Sequence, residues 1–159
     1  MDGWIVNHEI FGEFGTHFVR LLTAVLLGAT IGVERQFQGR WAGMRTHMMV
    51  SLGAAIFTLA AITTTPEGSS EITRVIQGIA AGIGFLGAGT IVKLGAGTEV
   101  AGLTTASSIW MAAALGTVSG MGEYALAVTA CLFSMIVLAL LRPITKPIGN
   151  DNQASPPKD

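Results

Sequence analysis

Four polar residues lie close together around the first predicted loop and could form a site for a charged ligand: Glu34, Arg35, Arg45 and His47. Each lies at or just beyond the end of a long apolar segment. Charged groups near the end of a membrane span cost less free energy than at the bilayer centre, but several together favour ion pairing or a hydrated pocket. We expect Glu34 to pair with Arg35 or Arg45. The alternative is a basic anchor in contact with the cytosol, which is the expectation for Arg40.

The third apolar segment is rich in glycine, which predicts close packing of helices. At about 100° per residue, Gly78, Gly82 and Gly89 share one face of a helix, and Gly84 and Gly87 lie nearly opposite. Because glycine costs about 1 kcal/mol relative to alanine in an exposed helix, this density favours close neighbours on both sides. The sequence therefore predicts that this helix is central in the bundle.

Three of these glycines, Gly82, Gly84 and Gly87, also match the pattern GxGxxG of dinucleotide-binding proteins. Such a site requires a preceding strand and a water-accessible helix N-terminus. Here the match lies inside an apolar segment, so it does not indicate a nucleotide site.

The fourth apolar segment carries hydroxyl side chains at Thr104, Thr105, Ser107 and Ser108. Hydroxyls in a membrane helix can bond to carbonyls of their own helix, so packing explains them as well as a binding role does. If successive helices alternate in direction, residues 87–93 and 102–108 lie at similar depth and face each other. The predicted ligand or partner site combines residues from these segments: Glu34, Arg35, Arg45, Thr46, Gly84, Gly87, Gly89, Thr90, Thr104 and Thr105. The residues predicted to pack helices are Gly28, Gly32, Gly78, Gly82 and Trp110, the last as a core side chain.

No pattern in the sequence indicates an enzyme, a metal site or a cofactor. His8, His17 and His47 lack the spacing of metal ligands. The sequence contains no GxSxG, no cysteine near a histidine and no pair of close carboxylates typical of a hydrolase. We therefore predict a protein without catalytic activity.

Composition indicates the membrane environment in which these residues must be positioned. The 159 residues are 50% hydrophobic and 12% charged, whereas soluble domains carry about 25% charged residues. Five apolar segments, at roughly 14–33, 48–65, 75–92, 100–121 and 124–141, approach the length of about 20 residues that crosses a bilayer. The net charge of −1 gives no basic field that would attract nucleic acid.

The distribution of lysine and arginine predicts the orientation. The first and third loops and the C-terminal flank carry basic residues, whereas the N-terminal segment has none before Arg20. Because basic residues are retained in the cytoplasm, we predict an all-α, polytopic bundle of about five transmembrane helices with the N-terminus outside and the C-terminus inside. Residues 1–147 would form the transmembrane domain and 148–159 a disordered cytoplasmic tail. Arg20 is expected to reach the outer headgroups.

Four motifs in order resemble the MgtC/SapB family of bacterial inner-membrane proteins. They are Gly-Val-Glu-Arg-Gln at 32–36, Ala-Gly-Met-Arg-Thr-His at 42–47, Gly-Ile-Gly-Phe-Leu-Gly-Ala-Gly-Thr-Ile at 82–91, and Gly-Leu-Thr-Thr-Ala at 102–106 with Trp110. The resemblance covers about residues 20–125. It implies a multi-pass plasma-membrane protein associated with growth at low magnesium, acid tolerance and survival of pathogens in host cells, without established catalysis. Some members are linked to control of the membrane ATP synthase.

The balance of charges bears on what the predicted site would bind. Mg²⁺ prefers oxygen ligands that include carboxylates, yet the nearby acids, Glu34 and Glu99, are outnumbered by Arg35, Arg40, Arg45 and Lys93. This favours an anion, a lipid headgroup or an acidic segment of a protein partner.

The leading expectation is a regulatory or adaptive protein that acts on a membrane partner or small ligand. The alternatives are a small-ion (Mg²⁺ or H⁺) channel or transporter and a structural assembly subunit. The glycine-rich faces predict a homodimer.

Overall fold

A computed structural model of the chain describes residues 2–66, 70–93 and 100–140. In this part of the chain there are five α-helices: α1 Asp2–Phe37, α2 Met44–Thr64, α3 Ser70–Ala88, α4 Leu103–Met121 and α5 Tyr124–Met135. A π-helical turn, Ile136–Leu140, continues α5, and two short strands, β1 Val92–Lys93 and β2 Val100–Ala101, pair antiparallel. The prediction of an all-α architecture is confirmed. The predicted tail at 148–159, the basic residues after α5 and Glu99 lie outside the described residues.

Each predicted apolar segment corresponds to one helix, although several boundaries differ. The first helix continues to Phe37, so Glu34 and Arg35 lie within α1 rather than beyond its end. The fourth helix begins at Leu103 because Gly102, with φ +95°, adopts a left-handed conformation that cannot continue an α-helix. Two helical stretches in the described ranges, Gly12–Phe37 and Met44–Thr64, are long and apolar enough to cross a membrane. The number of spans and their orientation stay predictions.

The centre of the bundle is formed by α2 and α4, which run parallel and pack closely along their length. The carbonyl oxygen of Ser51 on α2 lies directly against Gly116 on α4, and the carbonyl oxygen of Ala55 lies 2.7 Å from the position that a Cβ on Gly120 would occupy. Each of these glycines therefore allows a backbone of α2 to approach where any side chain would collide.

Glycines also allow α1 to pack closely against α2. A Cβ on Gly28 would lie 2.7 Å from the carbonyl oxygen of His47, and a Cβ on Gly32 would lie 2.6 Å from the Cα of Met44. The hydroxyl of Ser51, which is fully buried, donates to the carbonyl of Ala24 on α1 at 2.7 Å. The first turns of α2 are thus held against the last turns of α1.

The prediction that the glycine-rich third helix is central is wrong for the single chain. Nothing lies within 4 Å of a Cβ placed on Gly78, Gly82 or Gly84, whereas Gly87 packs against the Cβ of Ala106 at 3.5 Å. Trp110, expected in the core, is 50% exposed. Helical periodicity assigns residues to a face but does not say which face meets another helix. The glycines against which α2 packs closely lie on α1 and α4.

Arg20 joins α1 to the end of α4, where the sequence predicted an extended side chain at the headgroups. Its Nη1 donates to the carbonyl oxygen of Gly120 at 3.1 Å. This carbonyl belongs to the last turn of α4, which ends at Gly122 with φ +86°. A cation here satisfies a carbonyl without a helical partner and interacts favourably with the helix dipole.

We expect Arg20→Met to lower the free energy of unfolding by about 1–2 kcal/mol, because it removes a charge-assisted hydrogen bond at a helix C-terminus. Reversible unfolding in mixed detergent micelles measures the effect. Arg74→Met is the matched control, since Arg74 is exposed on α3. Equal stability of the two variants would contradict the role assigned to Arg20.

Candidate functional site

A buried polar cluster, defined as Glu34, Arg35, His47, Thr105 and Ser108, lies where α1, α2 and α4 meet. All five residues are less than 9% exposed. Serine, threonine, histidine and especially charged residues are seldom buried to this degree without partners. The cluster contains an ion pair and a hydrogen-bonded network.

The ion pair joins neighbours on the last turns of α1. Arg35 Nη1 lies 3.7 Å from Glu34 Oε2, and the two side chains are 4% and 7% exposed. Of the two partners predicted for Glu34, the structure places Arg35 beside it. Both carboxylate oxygens of Glu34 are buried and accept no hydrogen bond within the described part of the chain. A buried carboxylate in this state depends on the adjacent guanidinium for its stabilisation.

The hydrogen-bonded network connects α2 to α4 through His47, which is fully buried. His47 Nδ1 lies 2.8 Å from the carbonyl oxygen of Gly43, and Nε2 lies 3.0 Å from Ser108 Oγ. The Ser108 hydroxyl is also 2.8 Å from the carbonyl oxygen of Thr105. A carbonyl only accepts, so Nδ1 must carry a proton.

A second surface at the same end of the bundle, the exposed basic turn, consists of Phe37, Arg40, Trp41 and Arg45. Phe37 is 86% exposed and Trp41 81% exposed, and both arginines are also exposed. Arg45 therefore does not pair with Glu34, although both arise from the same part of the sequence. The turn is closed by Gln36, whose Oε1 accepts from the backbone N–H of Met44 at 3.2 Å.

The predicted site residues of α3 and α4 lie partly together. The stretches 87–93 and 102–108 lie side by side as predicted, because Val92 pairs with Ala101 and Gly87 packs on Ala106. Thr105 is buried and Thr104 is exposed.

The remaining predicted site residues lie at the edge of the buried polar cluster or outside it. Gly84 and Gly89 are exposed, Thr46 is half-buried, and Thr90 Oγ1 donates to the carbonyl of Gly87 at 2.7 Å. The structure therefore does not unite all ten predicted residues in one site.

The sequence placed His47 among the polar residues around the first loop and Ser108 among the hydroxyls of the fourth segment, but the ten predicted site residues include neither. The two residues are 61 positions apart, and neither belongs to a recognised chemical motif. A signal was present, since Ser108 is one of the four hydroxyl residues of the fourth apolar segment and His47 follows Arg45 by two positions. That signal became specific only when both side chains proved to be buried.

Two grooves border these elements. The first, between α2 and α3, has a volume of about 460 Å³ and is lined by apolar residues and by Gly53, Gly78 and Gly82. The second, between α4 and α5, has a volume of about 360 Å³, and Ser108 lies in its wall beside Met111, Ser134 and Leu138. The buried polar cluster thus reaches the edge of a groove through Ser108.

Comparison with known proteins assigns the chain to a family. The sequence model of the MgtC family matches residues 21–146. Protein SrpB of Synechococcus elongatus is 43% identical over 130 residues, which cover 76% of this chain and 71% of SrpB. Protein MgtC of Salmonella typhimurium is 41% identical over 133 residues, or 84% of this chain and 55% of that protein. Protein MgtC of Brucella abortus is 46% identical over 126 residues, which cover 79% of this chain and 51% of that protein.

The chain spans about half the length of the MgtC proteins that it matches. No solved structure matches it. The matched residues include α2, α3, α4, α5 and the part of α1 that carries Glu34 and Arg35. The extent of the family match and the identity of these relatives show that the chain belongs to the MgtC family.

Proposed function

We propose that this protein is a non-enzymatic, multi-pass protein of the bacterial inner membrane that regulates a membrane partner during adaptation to low magnesium or acid stress. The exposed basic turn is its docking surface, and a homodimer is its working form. The observation that carries the proposal is the contrast between the two ends of one charged segment. Glu34 and Arg35 are buried against each other, whereas Arg40, Trp41 and Arg45 are exposed.

The exposed basic turn has the composition of a docking surface. Arginine and tryptophan are enriched at the points of protein interfaces that contribute most binding energy. Arg45 makes no ion pair within the described residues, so its guanidinium is available for the carboxylates of a partner. The membrane ATP synthase is a candidate partner, as the family resemblance implies.

The second candidate function is transport of a small ion, either Mg²⁺ or H⁺, with Glu34 on the route. The buried carboxylate favours it, since burying a carboxylate in a membrane span costs free energy and such residues commonly lie on ion pathways. The neighbouring Arg35 opposes a Mg²⁺ route, because a guanidinium at 3.7 Å competes with a cation for the same oxygens. We therefore place regulation first.

The regulatory proposal predicts that Arg40→Gln with Arg45→Gln weakens the effect on the partner. Inverted membrane vesicles that contain ATP synthase report ATP-driven proton pumping as purified protein is added. The double variant should need about tenfold more protein for half of the wild-type effect, because two charges at an interface rim are lost. Arg74→Gln is the control on the opposite end of the bundle. No difference between the double variant and this control would contradict the docking surface.

Proteoliposomes distinguish the second candidate. On the regulatory proposal, vesicles with the wild-type protein move neither H⁺ nor Mg²⁺ faster than empty vesicles, as fluorescent indicators inside would show. Flux above empty vesicles that disappears in Glu34→Gln would make transport the function. Protease accessibility of the exposed basic turn confirms insertion in either case and tests the predicted orientation.

A further inference from the structure

The His47 network contains three hydrogen-bond contacts, but a neutral histidine and the Ser108 hydroxyl together supply only two protons for them. Three contacts are present: Nδ1 with the Gly43 carbonyl, Nε2 with Ser108 Oγ, and Ser108 Oγ with the Thr105 carbonyl. Both carbonyls only accept, so Nδ1 carries a proton, and the Ser108 hydroxyl donates either to the Thr105 carbonyl or to Nε2. A neutral imidazole has no proton on Nε2, so only one of the two contacts of Ser108 Oγ then has a donor.

One added proton completes the network. With His47 doubly protonated, Nε2–H donates to Ser108 Oγ while the Ser108 hydroxyl donates to Thr105 and Nδ1–H donates to Gly43. We propose that His47 and Ser108 form a proton-binding site in which uptake of one proton from water joins the first turn of α2 to α4 through three hydrogen bonds. In the neutral state the Ser108 hydroxyl can serve only one of its two neighbours, and one contact is lost.

The charged groups near His47 lie on α1 and α2. On α1, Glu34 and Arg35 act on the ring with opposite signs, and the Glu34 carboxylate accepts no hydrogen bond within the described residues. On α2 the nearest charge is Arg45, which is exposed. The sequence of α4 from Leu103 to Met121 contains no ionisable side chain. A proton on His47 would therefore place a positive charge near both the Glu34 carboxylate, whose oxygens accept no hydrogen bond within the described residues, and the Arg35 guanidinium.

The proton-binding site and the docking surface are independent, because the network is buried and its protonation is measured separately from any partner. The experiment uses full-length protein labelled with ¹⁵N-histidine in lipid nanodiscs, with His47→Gln to assign the signal. The wild type should show the Nδ1-protonated tautomer near neutral pH and convert to imidazolium as the pH falls. Ser108→Ala removes the acceptor of the added proton and should weaken proton binding about tenfold, since hydrogen bonds to charged groups are among the stronger ones.

The neighbouring serine supplies a matched control. Ser107 is exposed and donates to the carbonyl of Leu103 at 2.9 Å, the same kind of bond to its own helix that Ser108 makes. Ser107→Ala should leave the titration of His47 unchanged, and Ser108→Thr should restore it by keeping a hydroxyl. Equal titration in Ser108→Ala and wild type would overturn the proposal.

The wild type alone also decides the proposal if Ser108→Ala does not fold. A ring that stays neutral until circular dichroism shows loss of the helices would exclude a proton-binding site. A neutral ring protonated on Nε2 rather than Nδ1 would equally overturn it. Conversion to imidazolium in protein that keeps its helical signal supports it.

Discussion

Gly116→Ala is expected to destabilise the protein by about 3 kcal/mol, enough to lower the yield of folded protein severalfold. The added Cβ would collide with the carbonyl oxygen of Ser51, and also with the carbonyl carbon and the Cα of the same residue. Overpacking typically costs about 1–3 kcal/mol, and a collision with backbone is difficult to relieve because no side chain can rotate away. The two helices at the centre of the bundle would have to separate.

Gly82→Ala is the matched control for this prediction. Nothing lies within 4 Å of a Cβ at Gly82 in the single chain, so the substitution should be neutral or stabilise α3 by up to about 1 kcal/mol through helix propensity. Unfolding in mixed detergent micelles compares both variants with the wild type. Equal stability of Gly116→Ala and Gly82→Ala would mean that the backbones of α2 and α4 are not in direct contact at Gly116.

Arg35→Met is expected to destabilise the protein by about 3–5 kcal/mol, because it leaves the Glu34 carboxylate buried without its counter-ion. The methionine keeps an unbranched apolar stem, so packing changes less than charge. The double variant Glu34→Gln with Arg35→Met should be more stable than Arg35→Met alone, because a neutral amide costs less to bury than a charge. Such recovery is the sign of coupling between the two residues.

Arg40→Met provides the control in the same segment, since Arg40 is exposed and surface substitutions usually change stability by less than about 0.5 kcal/mol. The same unfolding measurement applies to these proteins and to the single variant Glu34→Gln, which the test of additivity requires. If Arg35→Met and Arg40→Met were equally stable, the pair with Glu34 would be incidental. If the effects of the two substitutions at the pair simply added, Glu34 and Arg35 would not be coupled.

The proposed function gives the buried polar cluster and the exposed basic turn different roles. The cluster fixes the junction of α1, α2 and α4, from which the turn at 38–43 projects, and the turn presents the charges that a partner would contact. Substitution in the cluster should therefore lower stability and activity together. Substitution in the turn should lower activity alone, which allows the two contributions to be separated in one set of variants.

Much of the fold could be predicted from the sequence because the signals are local. Each apolar segment of about 20 residues has no stable alternative to a helix in a membrane, since every backbone polar group must be satisfied within the segment. All five segments correspond to helices, and the motifs around Glu34 and Gly87 are contiguous stretches of sequence that indicate the family by themselves. Arg35 was one of the two partners predicted for Glu34 from the sequence, and the choice between Arg35 and Arg45 required the tertiary structure.

The packing of the bundle was decided only by the tertiary structure. Glycines at equal spacing on α3 and α4 look alike in the sequence, yet Gly116 and Gly120 meet the backbone of α2 while Gly78 and Gly82 meet nothing in the chain. Likewise, Arg35 and Arg45 are the same residue type in one segment, and one is buried while the other is exposed. The position of a residue in a helix fixes the direction in which its side chain leaves the helix axis. What lies opposite, and hence whether a glycine, a charge or a histidine is buried, depends on helices that are distant in sequence.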